Sequence, residues 1–179
     1  MIIKSLPNIL TLSRIVVIPI IVGLFYLDFR TLCAILFLYA SVTDFLDGYF
    51  ARAWSMQTNL GRALDPIADK LLVGAVIIAL LDNSQIDVFP SLAIICREIL
   101  VSGLRELLAE LRISVPVSNL AKIKTAVQMS ALFLLVLGQE GGGHIIIPIL
   151  GRIAIWIAAI LTLITGYAYV KSGVEHLKE

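Results

Sequence analysis

Charge is scarce in this sequence of 179 residues: Asp, Glu, Lys and Arg make up 15%, where a soluble domain carries roughly a quarter. Hydrophobic residues reach 59%, more than one compact core can bury, which excludes an ordinary water-soluble globule. The same excess excludes a disordered chain. A surplus of one sign is also lacking, with 14 basic against 13 acidic residues, so no global basic field points to nucleic acid. Cys33 and Cys96 are the two cysteines, each in an apolar stretch, and they supply neither a disulfide framework nor metal-ligand spacing. A cleavable leader is not evident, because Pro7, Asn8 and Arg14 interrupt the apolar stretch after Lys4 and no small-residue cleavage site appears. What is present is apolar sequence in long runs, the mark of a polytopic helical membrane protein whose spans each need about 20 residues.

Six such runs stand out, roughly 8–28, 31–51, 64–82, 88–109, 121–139 and 145–171. Short polar stretches separate them, so neighbouring helices are expected to run antiparallel. With no internal repeat or soluble appendage, the expectation is an all-α integral membrane protein of six transmembrane helices forming a single domain over 1–179. Residues 1–10 carry a weak amphipathic signal for the membrane surface. The three glycines 141–143 read as a turn.

The basic residues divide by side. Lys4, Arg14, Arg52, Arg62, Lys70, Arg105, Arg112, Lys122, Lys124, Lys171 and Lys178 gather at one end of the expected bundle, and Arg30 and Arg152 at the other. Positive residues accumulate on the cytoplasmic side, so both termini are expected there, in the cell (inner or plasma) membrane.

An ionisable side chain inside a span costs several kcal/mol on insertion scales, yet four of the thirteen acids fall between Asp44 and Asp69. A helix turns about 100° per residue, which puts Asp44 with Asp47 on one face and Asp65 with Asp69 on another. An antiparallel pairing of the second and third spans would point all four carboxylates at one another. Like charges so placed need protons or cations, and hard oxygen donors without Cys or His favour Mg²⁺ or Mn²⁺ over zinc. Two such ions could share the cluster, an arrangement suited to displacement at phosphorus. Gly48, Ala51 and Gly61 leave room on the same faces, and Arg52 adds a fork suited to phosphate oxygens. Pro66 is expected in the first turn of the third helix, where a missing amide donor is tolerated. The alternative is plain packing, with the small residues at helix contacts and the acids paired to Arg52, Arg62 and Lys70; four intramembrane acids are a costly way to achieve it.

Together these residues spell D-x2-D-G-x2-A-R-x8-G-x3-D-x3-D with every position filled. The pattern resembles the signature of the CDP-alcohol phosphotransferase family, membrane enzymes of phospholipid synthesis. Pro7, Asn8, Thr11 and Arg14 are similar to that family's N-terminal segment. Arg97, Glu98, Gly103, Arg105 and Glu106, with Lys122, Lys124, Thr125, Gln128 and Met129, look like its bacterial branch that makes phosphatidylglycerophosphate.

The resemblance implies a donor, CDP-diacylglycerol, and an acceptor, sn-glycerol 3-phosphate. It implies that Asp44, Asp47, Asp65 and Asp69 hold two divalent ions and that Asp69 is the catalytic base. It puts Gly48, Ala51, Arg52 and Gly61 around the cytidine diphosphate, with Asn8 and Thr11 near the same nucleotide. It implies a homodimer whose polar site opens to the cytoplasm.

An anionic acceptor needs cations outside the donor signature. Arg97 and Arg105, eight residues apart, share a helical face, and Lys122 and Lys124 open the fifth span near Arg105. These four are the candidates for the acceptor's phosphate. Other readings stay open: an ion pair with Glu98, Glu106 or an aspartate for Arg97, and snorkelling to the interface for the two lysines. Gln128 suits either substrate or core. Serine, inositol phosphate or phosphatidylglycerol could replace glycerol phosphate with the donor motif unchanged. A cation channel or transporter is the remote alternative, and it would spread its acids across the membrane depth rather than collect them on one side.

Overall fold

The structure is a computed structural model that describes residues 6–53, 59–113, 118–138 and 146–178, with the side chains of 6–8, 45–53, 59–63 and 176–178 outside the description. Six helices follow one another: α1 Leu6–Tyr26, α2 Arg30–Ala53, α3 Asn59–Asp82, α4 Val88–Glu110, α5 Asn119–Leu137 and α6 Ile146–Lys178. All six coincide with the expected runs, and no strand occurs among the described residues. Two differ in length. α6 continues past 171, and α3 starts at Asn59, so Pro66 lies inside the helix and not in its first turn. There the Pro66 carbonyl accepts a hydrogen bond from Lys70 Nζ at 2.8 Å.

Helix ends are set by local geometry. α1, α3 and α4 each stop at a residue in the left-handed region, Asp28 (φ 66°), Ser84 (φ 55°) and Arg112 (φ 60°). In each case the next amide reaches back five residues to a helix carbonyl, from Phe29 to Leu24, Gln85 to Leu80 and Ile113 to Leu108. That pattern satisfies carbonyls a helix end would otherwise leave bare. α5 begins where the Ser118 hydroxyl accepts from the Ala121 amide at 3.2 Å.

The helices close into a ring in the order α1, α2, α5, α6, α4, α3, with α3 also touching α5 across the middle. The expectation is a pairing of α2 with α3, whose adjoining ends carry side chains outside the described residues. Among the described residues those two make little direct contact, and α1 lies against both. At the centre are Phe37, Ile77, Ile94, Leu132 and Ile155, all essentially inaccessible. Gly151 lets α6 approach α5 closely, since a Cβ there would stand 2.8 Å from Leu135 Cγ.

The outer surface is apolar like the core, and several polar side chains are buried. Ile35, Ile78, Leu92, Ile99, Ile160 and Tyr167 face outward, whereas Thr11, Arg14, Lys124, Gln128 and Thr162 are buried. Such a surface suits hydrocarbon. α1, α5 and α6 are long and apolar enough by length and composition to cross a membrane. Cys33 is buried, whereas Cys96 is on the outer surface.

One end of the ring is tied by side chains. Tyr26 donates to Asp82 at 2.9 Å, Trp156 to Asp87 at 3.0 Å, and Arg152 to the carbonyls of Gln85 and Ser84 at 3.0 and 3.1 Å. Arg30 bonds Asp28 at 2.9 Å and lies over the Phe25 ring. Arg30 and Arg152 thus share the end away from the aspartates.

Candidate active site

The carboxylates reach the site from two helices of the ring. Asp44 lies towards the end of α2, and Asp65 and Asp69 lie one turn apart early in α3. Between these helices sits α1, and its Arg14 joins them. The Arg14 side chain is wholly buried. Its Nη1 donates to Asp44 and, at 2.7 Å, to Asp69 Oδ1, while Nη2 stands 3.6 Å from Asp65 Oδ1. Three carboxylates from two helices therefore share one guanidinium, whose several fixed donors suit it to such bridging. The aspartates remain about 40% exposed and accessible from the other side. Thr11, one turn before Arg14, is buried and donates to Asp65.

Of the residues marked in the sequence, Asp44, Asp65, Asp69 and Thr11 are thus brought together. Gly48, Ala51, Arg52 and Asp47 fall on α2, Gly61 on α3 and Asn8 on α1, and their side chains lie outside the described residues. Arg14 is the central residue, which sequence reasoning placed on the cytoplasmic side and in the family-like N-terminal segment without giving it a role in the site. A signal for it existed: a lone arginine among the isoleucines and leucines of the first span needs a counter-charge, and the four aspartates are the closest acids at its depth.

The donor set is all oxygen, which fits a hard divalent cation, and the three described carboxylates already converge on positive charge. As arranged about the guanidinium, no three acidic or imidazole groups among the described residues stand close enough to one another to share a single ion. A divalent ion taken by these aspartates would meet Arg14 as a neighbouring positive charge.

Asp69 also faces a second space. A cavity of about 700 Å³ between α3, α4 and α5 is lined by Asp69, Lys70, Arg97, Glu98, Arg105, Lys122, Thr125 and Gln128, together with apolar residues. A smaller one of about 210 Å³, lined by Asp69, Arg97, Glu98, Ser102, Arg105 and Glu106, shares its walls. Arg97 is mostly buried. Its Nη1 stands 3.6 Å from Glu98, and its Nη2 reaches the Thr165 hydroxyl of α6 at 3.5 Å, which itself donates to the Leu161 carbonyl at 2.7 Å. The side chain crosses α6 at Gly166, where a Cβ would come within 2.8 Å of Arg97 Cγ. Arg105 lies 5.7 Å from the Tyr169 ring centre, a distance at which ring and cation attract.

Lys124 differs from the other three expected cations. It is almost wholly buried, bonds Glu98 and is not among the cavity's lining residues, whereas Arg97, Arg105 and Lys122 are. It does not snorkel to the interface. Its ion pair with Glu98 ties α5 to α4, and Glu98, itself a lining residue, serves both Lys124 and Arg97.

Comparison with known sequences places the chain in a family. A sequence model of CDP-alcohol phosphatidyltransferases matches residues 4–164. The chain belongs to that family, an enzyme family of membrane lipid synthesis. Among its relatives, a protein of Rickettsia typhi is 56% identical over 172 residues, covering 94% of this chain and 97% of its own. A protein of Pectobacterium atrosepticum is 40% identical over 182 aligned positions, covering 98% of each, and one of Yersinia enterocolitica 36% over the same span. All three bear the name CDP-diacylglycerol–glycerol-3-phosphate 3-phosphatidyltransferase.

Proposed function

We propose that the chain moves a phosphatidyl group from CDP-diacylglycerol to sn-glycerol 3-phosphate, yielding phosphatidylglycerophosphate and CMP. The observation that carries this is the double membership of Asp69: it belongs to the carboxylate cluster around Arg14 and also lines the cavity of Arg97, Arg105 and Lys122. A donor diphosphate beside the aspartates and an acceptor phosphate among the cations would meet at that residue.

In this reading the primary hydroxyl oxygen of glycerol phosphate attacks the phosphorus that carries diacylglycerol. A new phosphorus–oxygen bond forms, the bond to CMP breaks, CMP departs with the electron pair, and Asp69 takes the hydroxyl proton. Asp44, Asp47, Asp65 and Asp69 would hold Mg²⁺ or Mn²⁺, two ions per site. When bound, these offset negative charge on the diphosphate and on the leaving CMP. Arg14 keeps Asp44 and Asp69 oriented. Gly48, Ala51, Arg52 and Gly61, with Asn8 and Thr11, would surround the cytidine diphosphate. Arg97, Arg105 and Lys122 bind the acceptor's phosphate, and Lys124 supports them through Glu98.

The wider setting belongs to the same proposal. All six helices cross the bilayer as one domain, 1–179, in the cell membrane, with both termini and the site cytoplasmic, and two copies form a dimer. The apolar outer surface and the separation of Arg30 and Arg152 from the remaining cations support the membrane setting and its orientation. Membership of a transferase family takes away the ground for the channel or transporter reading.

The decisive experiment incubates the purified protein in detergent with CDP-diacylglycerol and a panel of acceptors, following CMP release. Glycerol phosphate should outpace serine, inositol phosphate and phosphatidylglycerol. Release of CMP with serine and not with glycerol phosphate would overturn the choice of acceptor.

A further inference from the structure

Gln128 lies on α5 one turn after Lys124 and is 2% exposed. It is one of the residues lining the large cavity, together with Asp69, Arg97, Arg105 and Lys122. Its Oε1 atom is buried and, among the described residues, has no hydrogen-bond partner. Leaving such an oxygen unsatisfied costs about 1–3 kcal/mol, and native interiors rarely tolerate it without a reason. A leucine or methionine would fill the same volume without that penalty, so packing does not account for an amide here.

The chemistry of the proposed acceptor supplies the missing donor. Glycerol phosphate presents a phosphate, an attacking hydroxyl and one further hydroxyl on its middle carbon. Arg97, Arg105 and Lys122 answer the phosphate, and Asp69 answers the attacking hydroxyl. The middle hydroxyl needs an oxygen that accepts its proton. A carboxylate at that point would repel the phosphate and compete for the arginines, whereas an amide oxygen accepts without adding negative charge. We infer that Gln128 accepts a hydrogen bond from the middle hydroxyl of the acceptor and so selects a glycerol phosphate over a phosphate ester that lacks it. A turn about the last side-chain torsion brings either end of the amide towards the cavity. This assignment rests on the acceptor proposed above and deepens it.

The test compares two acceptors, sn-glycerol 3-phosphate and 3-hydroxypropyl phosphate, which keeps the phosphate and the primary hydroxyl but lacks the middle one. A site built to bond a hydroxyl rejects the analogue without it, so the wild-type chain should favour glycerol phosphate in kcat/KM by about 30-fold or more. In Gln128→Leu and Gln128→Met that preference should fall to about threefold or less. The fall should come from glycerol phosphate alone, with the KM for CDP-diacylglycerol and the turnover of the analogue held. The methionine variant, unbranched and of similar length, guards against a folding failure of the leucine one. Retention of the wild-type preference in a folded variant overturns the assignment. Equal use of both acceptors by the wild-type chain overturns it too, while leaving the glycerol phosphate reading intact. If the wild-type chain turns over neither phosphate ester, that reading fails and the role of Gln128 fails with it.

Discussion

Arg14 and Asp69, 55 positions apart in sequence, meet at 2.7 Å through one guanidinium nitrogen, and the same nitrogen also bonds Asp44. A residue of the first helix thereby decides where the carboxylates of the second and third stand. Without it, three negative groups would face one another with no buried positive charge between them.

Replacing Arg14 by Met should therefore damage both folding and turnover. Breaking a buried ion pair costs 3–5 kcal/mol, and the partial exposure of the aspartates puts the expected loss at about 3 kcal/mol. Thermal unfolding in detergent should show a clear drop in midpoint, and Arg14→Lys should recover part of it. An unchanged midpoint in Arg14→Met would mean the guanidinium is not holding the three helices together.

Asp69→Asn keeps a hydrogen-bond acceptor for Arg14 but removes the base. CMP release should fall by about 10²–10⁴, the usual reach of general base catalysis, while CDP-diacylglycerol still binds within a few-fold of wild type. Turnover near the wild-type rate would remove Asp69 from the chemistry.

At Gly166 an added methyl has nowhere to go, because Arg97 Cγ already occupies the space. Gly166→Ala should displace Arg97 and raise the KM for glycerol phosphate about tenfold, the equivalent of one weakened charged hydrogen bond. The KM for CDP-diacylglycerol should stay put. If both KM values rise together, the substitution has disturbed the bundle and not the acceptor pocket.

Chelation offers a test of the carboxylate set. EDTA should abolish CMP release, and Mg²⁺ or Mn²⁺ should restore it, as expected of hard oxygen donors. Asp44→Asn and Asp65→Asn should each demand more metal for half-maximal activity. Full turnover in excess EDTA would contradict the proposed metal requirement.

Much of this molecule could be read along the chain, because a membrane span is a local property: about 20 apolar residues announce a helix wherever they sit. The aspartate signature was equally visible, since its meaning lies in fixed spacing along two helices. What escaped was how the helices meet. Loop length orders neighbours but does not say that α1 comes between α2 and α3, so Arg14 stood out in the N-terminal resemblance without its contact to the aspartates being visible. Lys124 shows the same gap. Its place near a helix start suggested a ligand for the acceptor's phosphate or an interfacial lysine, and only the fold reveals Glu98 waiting for it on α4. Pro66 misled for another reason: proline often opens a helix, yet Asn59–Asp82 runs through it.

The bonds among Tyr26 and Asp82, Trp156 and Asp87, and Arg152 with the turn at Ser84 and Gln85 all lie opposite the aspartates. They work as the closed joint of a pair of tongs. Any parting of the helices that admits a lipid-borne headgroup is thereby directed to the other end, where the three carboxylates share a single cation.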